Sequence, residues 1–513
     1  MSLTSTGTTP MRTSLLLLAA AALAACNDTT QPLDTADAPV TLTMETGNGQ
    51  AGSIGMPLGQ PLVVRVTDDA GRGVPDVPVA WTTTGGSVSA AEVMTAADGR
   101  AEVAWTLATA SGIDTAFAAV AGLAPAHFEA VVRPVAGGFV FRYVDVGSYH
   151  ACGILTTEQA VCWGYDGDGQ LGTGTGTMDT PTAIPGDLAF RITSGGRYHA
   201  CAVTLAGMGY CWGQGGDGRL GDGGSVSSPT PVEVISSTDV RLTFRTIGAG
   251  LLHSCALTIA QEVWCWGYNG QGEIGVGGAG PGNFVSVATF VGSDYRTLAV
   301  GGQHTCALTD AGAARCWGYN ASGQLGNGSN GDAEFPVTVA GGFTYRTDPA
   351  VVPHAPDPDF YVPGHGNITA GYAHTCAIRT NGASVCWGVN QDGQLGSGST
   401  ASSDAPVAVA GGHEFTALSA GYRHTCGLAA DGSAWCWGAN EYGQLGDGST
   451  DAQLEPVPVS GGLSFQSIGA GELSSCGVTT DGVAYCWGGN EYGQLGTGTR
   501  AASAVPVRVA TQP

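Results

Sequence analysis

The 513-residue chain contains no lysine: its 18 basic residues are all arginine, set against 42 Asp and Glu for a formal charge of −24. A surface of that sign repels phosphate backbones, which excludes nucleic-acid binding. Charged residues of every kind make up only 12 % of the chain. No apolar run reaches the roughly 20 residues of a membrane-spanning helix. Signatures of familiar chemistry are missing too: there is no Gly-x-Ser-x-Gly, no His-Glu-x-x-His, no phosphate loop and no Cys-x-x-Cys. Nothing therefore points to a catalytic residue, a cofactor or a zinc cluster.

What the chain has in abundance is glycine, 84 residues, and a repeated cysteine pattern. Seven times a cysteine is followed ten residues later by a second that opens Cys-Trp-Gly: Cys152 and Cys162, Cys201 and Cys211, Cys255 and Cys265, Cys306 and Cys316, Cys376 and Cys386, Cys426 and Cys436, Cys476 and Cys486. Between the members lies a strand, a turn and a strand, as in Cys426-Gly-Leu-Ala-Ala-Asp-Gly-Ser-Ala-Trp-Cys436. A three-residue loop ending in glycine would set the two cysteines opposite each other. Opposed Cα atoms there are about 4.5 to 5.5 Å apart, which suits a disulfide. Each such link would contribute about 2 to 3 kcal/mol on the chain-entropy account.

The unit is larger than the hairpin. After Cys-Trp-Gly comes a glycine-rich turn such as Asn440-Glu-Tyr-Gly-Gln-Leu-Gly446, then a Pro-Val strand such as Pro456-Val-Pro-Val459, then Phe465-Gln-Ser-Ile-Gly-Ala-Gly471. Successive first cysteines stand 49, 54, 51, 70, 50 and 50 residues apart. Four short strands per period of about 50 residues is the pattern of a β-propeller blade, in which each repeat needs a neighbour to bury its faces. The Ala-Gly or Gly-Gly that recurs before the first cysteine of the repeats, as at Ala249-Gly250, Ala370-Gly371 and Ala420-Gly421, fits innermost strands crowded around an axis.

At Gly371-Tyr-Ala-His-Thr-Cys-Ala-Ile378 and Cys386-Trp-Gly-Val-Asn-Gln-Asp-Gly-Gln-Leu-Gly396 the chain resembles the regulator of chromosome condensation repeat family. The resemblance covers about residues 137–513 and implies a seven-bladed propeller of four-stranded blades. It implies no single activity. The family includes an exchange factor for the small GTPase Ran, a plant ultraviolet photoreceptor and a secreted bacterial inhibitor of β-lactamases.

Met11-Arg-Thr-Ser14, Leu15 to Leu18 and an alanine-rich run ending Leu23-Ala-Ala-Cys26 have the form of a secretory signal, and Leu-Ala-Ala-Cys resembles the lipobox of bacterial lipoproteins. That resemblance implies a signal peptide at 1–25 and a lipid-bearing first residue at Cys26. The fifteen cysteines then divide into one lipobox residue and seven pairs, in keeping with an oxidising, exported location in the cell envelope. A polar tether, 26–37, leads to a second module at 38–133. Its alternating strands, among them Pro61-Leu-Val-Val-Arg-Val-Thr-Asp68 and Ala101-Glu-Val-Ala-Trp-Thr-Leu107, indicate a β-sandwich and resemble bacterial immunoglobulin-like domains of the invasin type. Trp81 and Trp105 would anchor its core. The expected fold class is all-β throughout.

Functional residues are harder to place in a repeat. Histidines recur in one register at His150, His199, His253, His304, His374 and His424, with Ser474 in the seventh copy, and the seven Cys-Trp-Gly tryptophans recur likewise. A residue present in every blade reads as packing or hydrogen bonding between blades, not as a metal ring or sugar platform. Asp166-Gly-Asp-Gly169 looks like part of a calcium loop but lacks its later ligands. The departure from the repeat is about 20 extra residues between Tyr345 and Ile368, entering before a presumed inner strand, with His354, Phe360, Tyr361 and His365 as candidate partner contacts. The reading is a monomeric, lipid-anchored interaction scaffold without cofactor, whose partner is a protein or other envelope macromolecule. Alternatives are an inhibitor of a secreted enzyme and a propeller hydrolase or lyase; exchange activity on a cytosolic GTPase does not fit an exported domain. Expressed in a Gram-negative host, the protein is expected to label with palmitate, and Cys26→Ser to abolish the label. Labelling that survives the substitution would contradict the anchor.

Overall fold

The computed structural model describes residues 38–53, 58, 60–107, 112–133, 138–174, 176–186, 188–238, 240–347 and 366–512. Cys26, the signal segment and the candidates His354, Phe360, Tyr361 and His365 lie outside the described residues. Residues 41–133 form a three-stranded sheet, Thr41–Thr46, Leu62–Thr67 and Arg100–Val103, and a five-stranded sheet, with a two-stranded ribbon beside them. Alternation along Pro78–Thr83 turns Val79 and Trp81 inward. There they join Leu62, Val64, Val66, Trp105 and Phe128 in one apolar core, with Trp81 and Phe128 ring centroids 5.9 Å apart.

From Phe141 onward the chain makes seven four-stranded sheets, each from four consecutive antiparallel strands. Blade 6 shows the plan: Phe415–Ala420, His424–Ala429, Ala434–Gly438 and Gln453–Pro458, paired in that order. Its second and third strands are joined by Ala430-Asp431-Gly432, with Gly432 at φ +83° and the Ala429 N–H donating to the Ser433 carbonyl at 2.9 Å. The odd loop places Cys426 directly opposite Cys436.

The same opposition recurs in every blade. Cys152 is bonded to Cys162, Cys201 to Cys211, Cys255 to Cys265, Cys306 to Cys316, Cys376 to Cys386, Cys426 to Cys436 and Cys476 to Cys486. Their Cα separations are 4.0 or 4.1 Å, closer than the 4.5 to 5.5 Å expected of facing residues, and all fourteen cysteines are fully buried. The ten-residue spacing thus marks a cross-strand link inside one hairpin, and no cysteine of the propeller joins one blade to another.

The first strand of each blade is innermost. At its end stands a glycine, Gly147, Gly196, Gly250, Gly301, Gly371, Gly421 or Gly471, and a Cβ on any of them would fall 2.2 to 2.7 Å from the carbonyl oxygen of the next glycine in the ring. The seventh meets the first, so the circle closes. Among the described residues no strand is exchanged between the first and last blades. The seam is made by direct bonds: Phe141 N–H to the Gly482 carbonyl at 2.9 Å, and Gly498 N–H to the Asp179 carbonyl at 2.8 Å.

Two contacts are repeated at the junctions. Every Cys-Trp-Gly indole is fully buried, and its Nε1–H donates to a carbonyl in the glycine-rich turn of the preceding blade, from Trp212 to Gln170 round to Trp163 to Gln494, at 2.9 to 3.0 Å. The glycine closing that turn lies under the indole; at Gly326, φ +65°, a Cβ would come within 2.7 Å of the Trp387 ring. The second contact uses the histidines. His199, His253, His304, His374 and His424 reach through Nε2 to a hydroxyl of the next blade, Ser254, Thr305, Thr375, Thr425 and Ser475, at 2.8 to 2.9 Å. Thr375 Oγ1 in turn donates to the Gln324 carbonyl at 3.0 Å, the same oxygen that receives Trp387 Nε1–H. With its proton committed there, the hydroxyl must accept from the imidazole, which fixes the Nε2–H tautomer of His304. Two adjacent junctions lack this bond. Ala200 faces His150, and Ala151 follows the first-blade histidine where Ser474 of the last blade would need a partner.

The long segment of blade 5 enters at a different place from the sequence expectation. Tyr345 already occupies the ring site that Phe415 takes in blade 6, lying 6.3 Å from Trp387, and the Arg346 N–H bonds to the Ile378 carbonyl. Asn367 then accepts from the Ile378 N–H, and Ile368–Ala370 completes a shortened strand. The extra residues thus split the innermost strand at its bulge, where one more residue already stands unpaired, instead of preceding the strand. Gly366 ends the excursion by exchanging backbone bonds with Leu418 of blade 6, at 3.0 and 3.1 Å.

Burial holds the histidines neutral. It lowers His253, His304, His374 and His424 from 6.5 to about 3, and His150 to about 4 despite the opposing charge of Asp145. The unfolded chain therefore binds more protons than the folded one between these values and 6.5. The stability tied to the neutral rings is complete above pH 6.5 and is lost as pH falls toward 3, at about 2 kcal/mol per histidine by pH 5. Urea unfolding at pH 7, 6 and 5 should show a steep fall that His304→Gln, which keeps a donor for Thr375, makes shallower by one proton's share. An unchanged slope in that variant would contradict the assignment.

Candidate functional site

The same strand order that closes the ring sorts the loops onto two faces. Turns between first and second strands share one face with the glycine-rich loops after the third strand, whereas the hairpin turns and blade-to-blade connections lie on the other. On the first face each blade reads Gly-x-x-His, or Gly-x-x-Ser in the last; the first central residue joins the ring through its backbone N–H, as from Tyr422 to the Gly471 carbonyl at 2.9 Å, which leaves its side chain free to vary. The two central positions read Ser148-Tyr149, Arg197-Tyr198, Leu251-Leu252, Gly302-Gln303, Tyr372-Ala373, Tyr422-Arg423 and Glu472-Leu473.

Tyrosine gathers here. Tyr149, Tyr198, Tyr372 and Tyr422 sit in the Gly-x-x-His turns, Tyr165, Tyr319, Tyr442 and Tyr492 in the loops that follow the third strands, and Tyr268 at the end of the third strand of blade 3. These nine are a majority of the chain's 15 tyrosines, and none is fully buried. Tyr372 and Tyr422 stack with centroids 4.0 Å apart. Tyr149, Tyr165 and Tyr492 pack edge-on across the seam, at 5.1 to 6.3 Å. Such rings present wide contact area with few rotatable bonds and a polar tip.

Two of these tyrosines, Tyr372 and Tyr422, line an axial cavity together with Arg197, Leu251, Glu472 and the ring glycines. Tyr149 OH donates to Glu472 at 3.0 Å and accepts from Arg197 Nη2 at 3.4 Å, while the Arg197 guanidinium lies 5.2 Å from the Tyr198 ring centre. Burial and the Glu472 charge push the Tyr149 hydroxyl up to about 12, and burial with the Tyr372 bond does the same for Tyr422. Both are therefore neutral hydrogen-bonding groups at any physiological pH. Arg423 spans two blades, with Nε donating to Asp392 at 2.7 Å and Nη1 to Glu441 at 2.9 Å.

Nothing in this arrangement pairs a nucleophile with a base. Among the described residues no group of three or more His, Cys, Asp or Glu could hold a metal ion. Asp166 is committed to its own loop, accepting from the Leu171 and Gly176 N–H groups. Among the described residues no helix is long and apolar enough to cross a membrane. Five of the six repeated histidines and all seven Cys-Trp-Gly tryptophans bond between blades, and the paired cysteines bond within them. The tyrosines were missed in the sequence because they belong to two motifs that meet only after folding.

Seven four-stranded blades closed around an axis, with uniform junctions and one variable face, define a β-propeller. Residues 141–170, 244–273, 295–324, 367–394, 415–444 and 465–494 match the family described as Regulator of chromosome condensation (RCC1) repeat, and 207–257, 385–428, 431–478 and 481–513 match a second profile of the same description. The chain belongs to the regulator of chromosome condensation repeat family. It is 30 % identical over 305 residues to the Ultraviolet-B receptor UVR8 of Arabidopsis thaliana, covering 52 % of this chain and 69 % of that protein. It is also 30 % identical over 175 residues to the human Probable E3 ubiquitin-protein ligase HERC4, covering 33 % of this chain but only 14 % of HERC4. Among solved structures, yeast RCC1 (Prp20) bound to Kap60 superimposes with a TM-score of 0.57 at 21 % identity, covering 72 % of this chain and 85 % of that one. Human WBSCR16 does so at 0.58 and 19 %, covering 69 % and 94 %. At those identities the likeness is one of fold.

One loop on this face departs from its siblings in a testable way. Where five other blades have Gln170, Gln324, Gln394, Gln444 or Gln494 accepting a backbone N–H two residues earlier, blade 3 has Glu273, accepting from Gln271 at 2.9 Å with its second oxygen buried and unpartnered. Burial raises this carboxyl from 4.5 to about 7, so that its neutral form mimics the amide. The folded protein then holds a proton that the unfolded chain releases, and stability falls as pH rises from about 4.5 through 7. Glu273→Gln should raise unfolding stability at pH 8, by up to about 3 kcal/mol, and change it little at pH 5. An equal effect at both pH values would refute the neutral carboxyl.

Proposed function

We propose that the protein is an envelope-anchored binding propeller. A lipid at Cys26 would hold it to a membrane, the β-sandwich at 38–133 would act as an immunoglobulin-like spacer, and the propeller would present its tyrosine-rich face to a protein partner. The carrying observation is the concentration of tyrosine on one face, at side-chain positions the scaffold leaves free, with Tyr372 and Tyr422 lining the axial cavity. Tyrosine and arginine dominate the energetics of protein interfaces, and tyrosines grouped on one side of a rigid scaffold, at positions the repeated blade junctions do not use, are suited to that role. Seven disulfides favour an oxidising, extracellular setting.

Binding, not catalysis, suits a site whose charges are paired with one another. Inhibition of a secreted enzyme would be a special case, in which the same face covers a catalytic cleft. The test is the double variant Tyr372→Ala/Tyr422→Ala in the full-length protein. A partner recovered from envelope extract by the parent should bind the variant at least tenfold more weakly, about 1.4 kcal/mol, with unchanged thermal unfolding. Full affinity in a folded variant would move the site off this face.

A further inference from the structure

We infer that Tyr372 and Tyr422 form a site of oxidative coupling, at which a one-electron oxidant joins the two rings by a carbon–carbon bond and so ties blade 5 covalently to blade 6. All seven disulfides lie inside single hairpins, so among the described residues no covalent bond joins one blade to the next. The ring register makes the pair. The residue after each ring glycine reads Ser148, Arg197, Leu251, Gly302, Tyr372, Tyr422 and Glu472, and only blades 5 and 6 are neighbours that both carry tyrosine there. Tyr372 N–H donates to the Gly421 carbonyl at 3.2 Å and Tyr422 N–H to the Gly471 carbonyl at 2.9 Å, which fixes both backbones beside the rings. Gly302 leaves room on the far side, where a Cβ would fall 2.8 Å from the Tyr372 ring.

Stacking is the geometry that coupling needs. The unpaired spin of a phenoxyl radical sits on the oxygen and on the ortho and para carbons, and the para carbon is blocked by the side chain. Two such rings bond where the π lobes of their ortho carbons overlap face to face. Tyr372 and Tyr422 lie with centroids 4.0 Å apart and planes 24° from parallel, and their hydroxyl ends are hydrogen-bonded, which sets the ortho carbons of one ring over those of the other. Tyr149 and Tyr165 meet Tyr492 edge-on instead, at 64°, and the Tyr149 hydroxyl turns to Glu472. Both stacked rings are partly exposed and line the axial cavity, within reach of an oxidant. Held in contact, they react without a bimolecular encounter. Each phenol gives up one electron and its hydroxyl proton, and the radicals form the ortho–ortho bond. The two ring hydrogens at that bond then pass as protons to the oxygens, restoring both hydroxyls and both aromatic rings. With hydrogen peroxide as oxidant, acting through a haem peroxidase, the two electrons and two protons released reduce one peroxide to two waters.

The test treats the full-length protein with a haem peroxidase and hydrogen peroxide over a range of protein dilutions, then reduces the disulfides, cleaves after arginine and maps the peptides. One cross-linked species should dominate, joining the Tyr372 and Tyr422 peptides and lighter by two hydrogens, with dityrosine fluorescence and a yield independent of protein concentration. Tyr372→Phe and Tyr422→Phe keep an aromatic stack without the second phenol, and each should lower the fluorescence at least tenfold, whereas Tyr492→Phe should leave it within twofold. Coupled protein should unfold at higher urea than Tyr422→Phe given the same oxidant, because the link constrains the unfolded chain. No coupling in the parent would overturn the assignment. So would links spread among Tyr149, Tyr165 and Tyr492, or links between chains whose yield falls on dilution.

Discussion

The structure depends on the junction between one blade and the next. No single blade has an inside, because a four-stranded sheet buries both faces only when neighbours cover them. The chain meets that need by lodging each blade's tryptophan under the preceding blade's glycine-rich turn and tying its Nε1–H to a carbonyl there. An indole is large enough to fill the wedge between two twisted sheets, and its one donor finds its acceptor where the turn must expose a carbonyl. The histidine and hydroxyl pairs add a second link at five junctions. At the seam the tryptophan link persists while the histidine link is gone, and the Tyr149, Tyr165 and Tyr492 cluster lies across it instead.

From this constraint the distribution of sequence follows. Residues that touch a neighbouring blade are nearly uniform, those that pack within a hairpin are small or disulfide-bonded, and freedom is left at the two positions of each Gly-x-x-His turn and the outer part of each glycine-rich loop. The face that results carries nine of the chain's tyrosines.

Much of this was legible in the residues. The ten-residue cysteine spacing implied a hairpin with an odd loop, and the geometry at Ala430-Asp431-Gly432 is of that kind. The ring glycines could be read as crowding, and the recurrent histidines as structural, because a residue every blade carries must serve something every blade shares. Other features were not legible for a physical reason. Whether the extra segment of blade 5 precedes or interrupts the inner strand depends on the ladder of Arg346 and Asn367 against Ile378, a pairing that spacing alone does not reveal. The tyrosine-rich face is invisible along the chain because Tyr149 and Tyr492 are separated by nearly the whole propeller and meet only when the ring closes.

The central claim is that a partner is held on the Gly-x-x-His face. Hydroxyl-radical footprinting of the protein with and without its captured partner addresses it directly, since tyrosine oxidation reports exposure residue by residue. The account predicts protection of Tyr149, Tyr198, Tyr372 and Tyr422, with Tyr210 and Tyr485 near the hairpin turns of the opposite face unchanged. Protection of Tyr210, Tyr485 or the inserted Tyr361, with the four face tyrosines still oxidised, would contradict it.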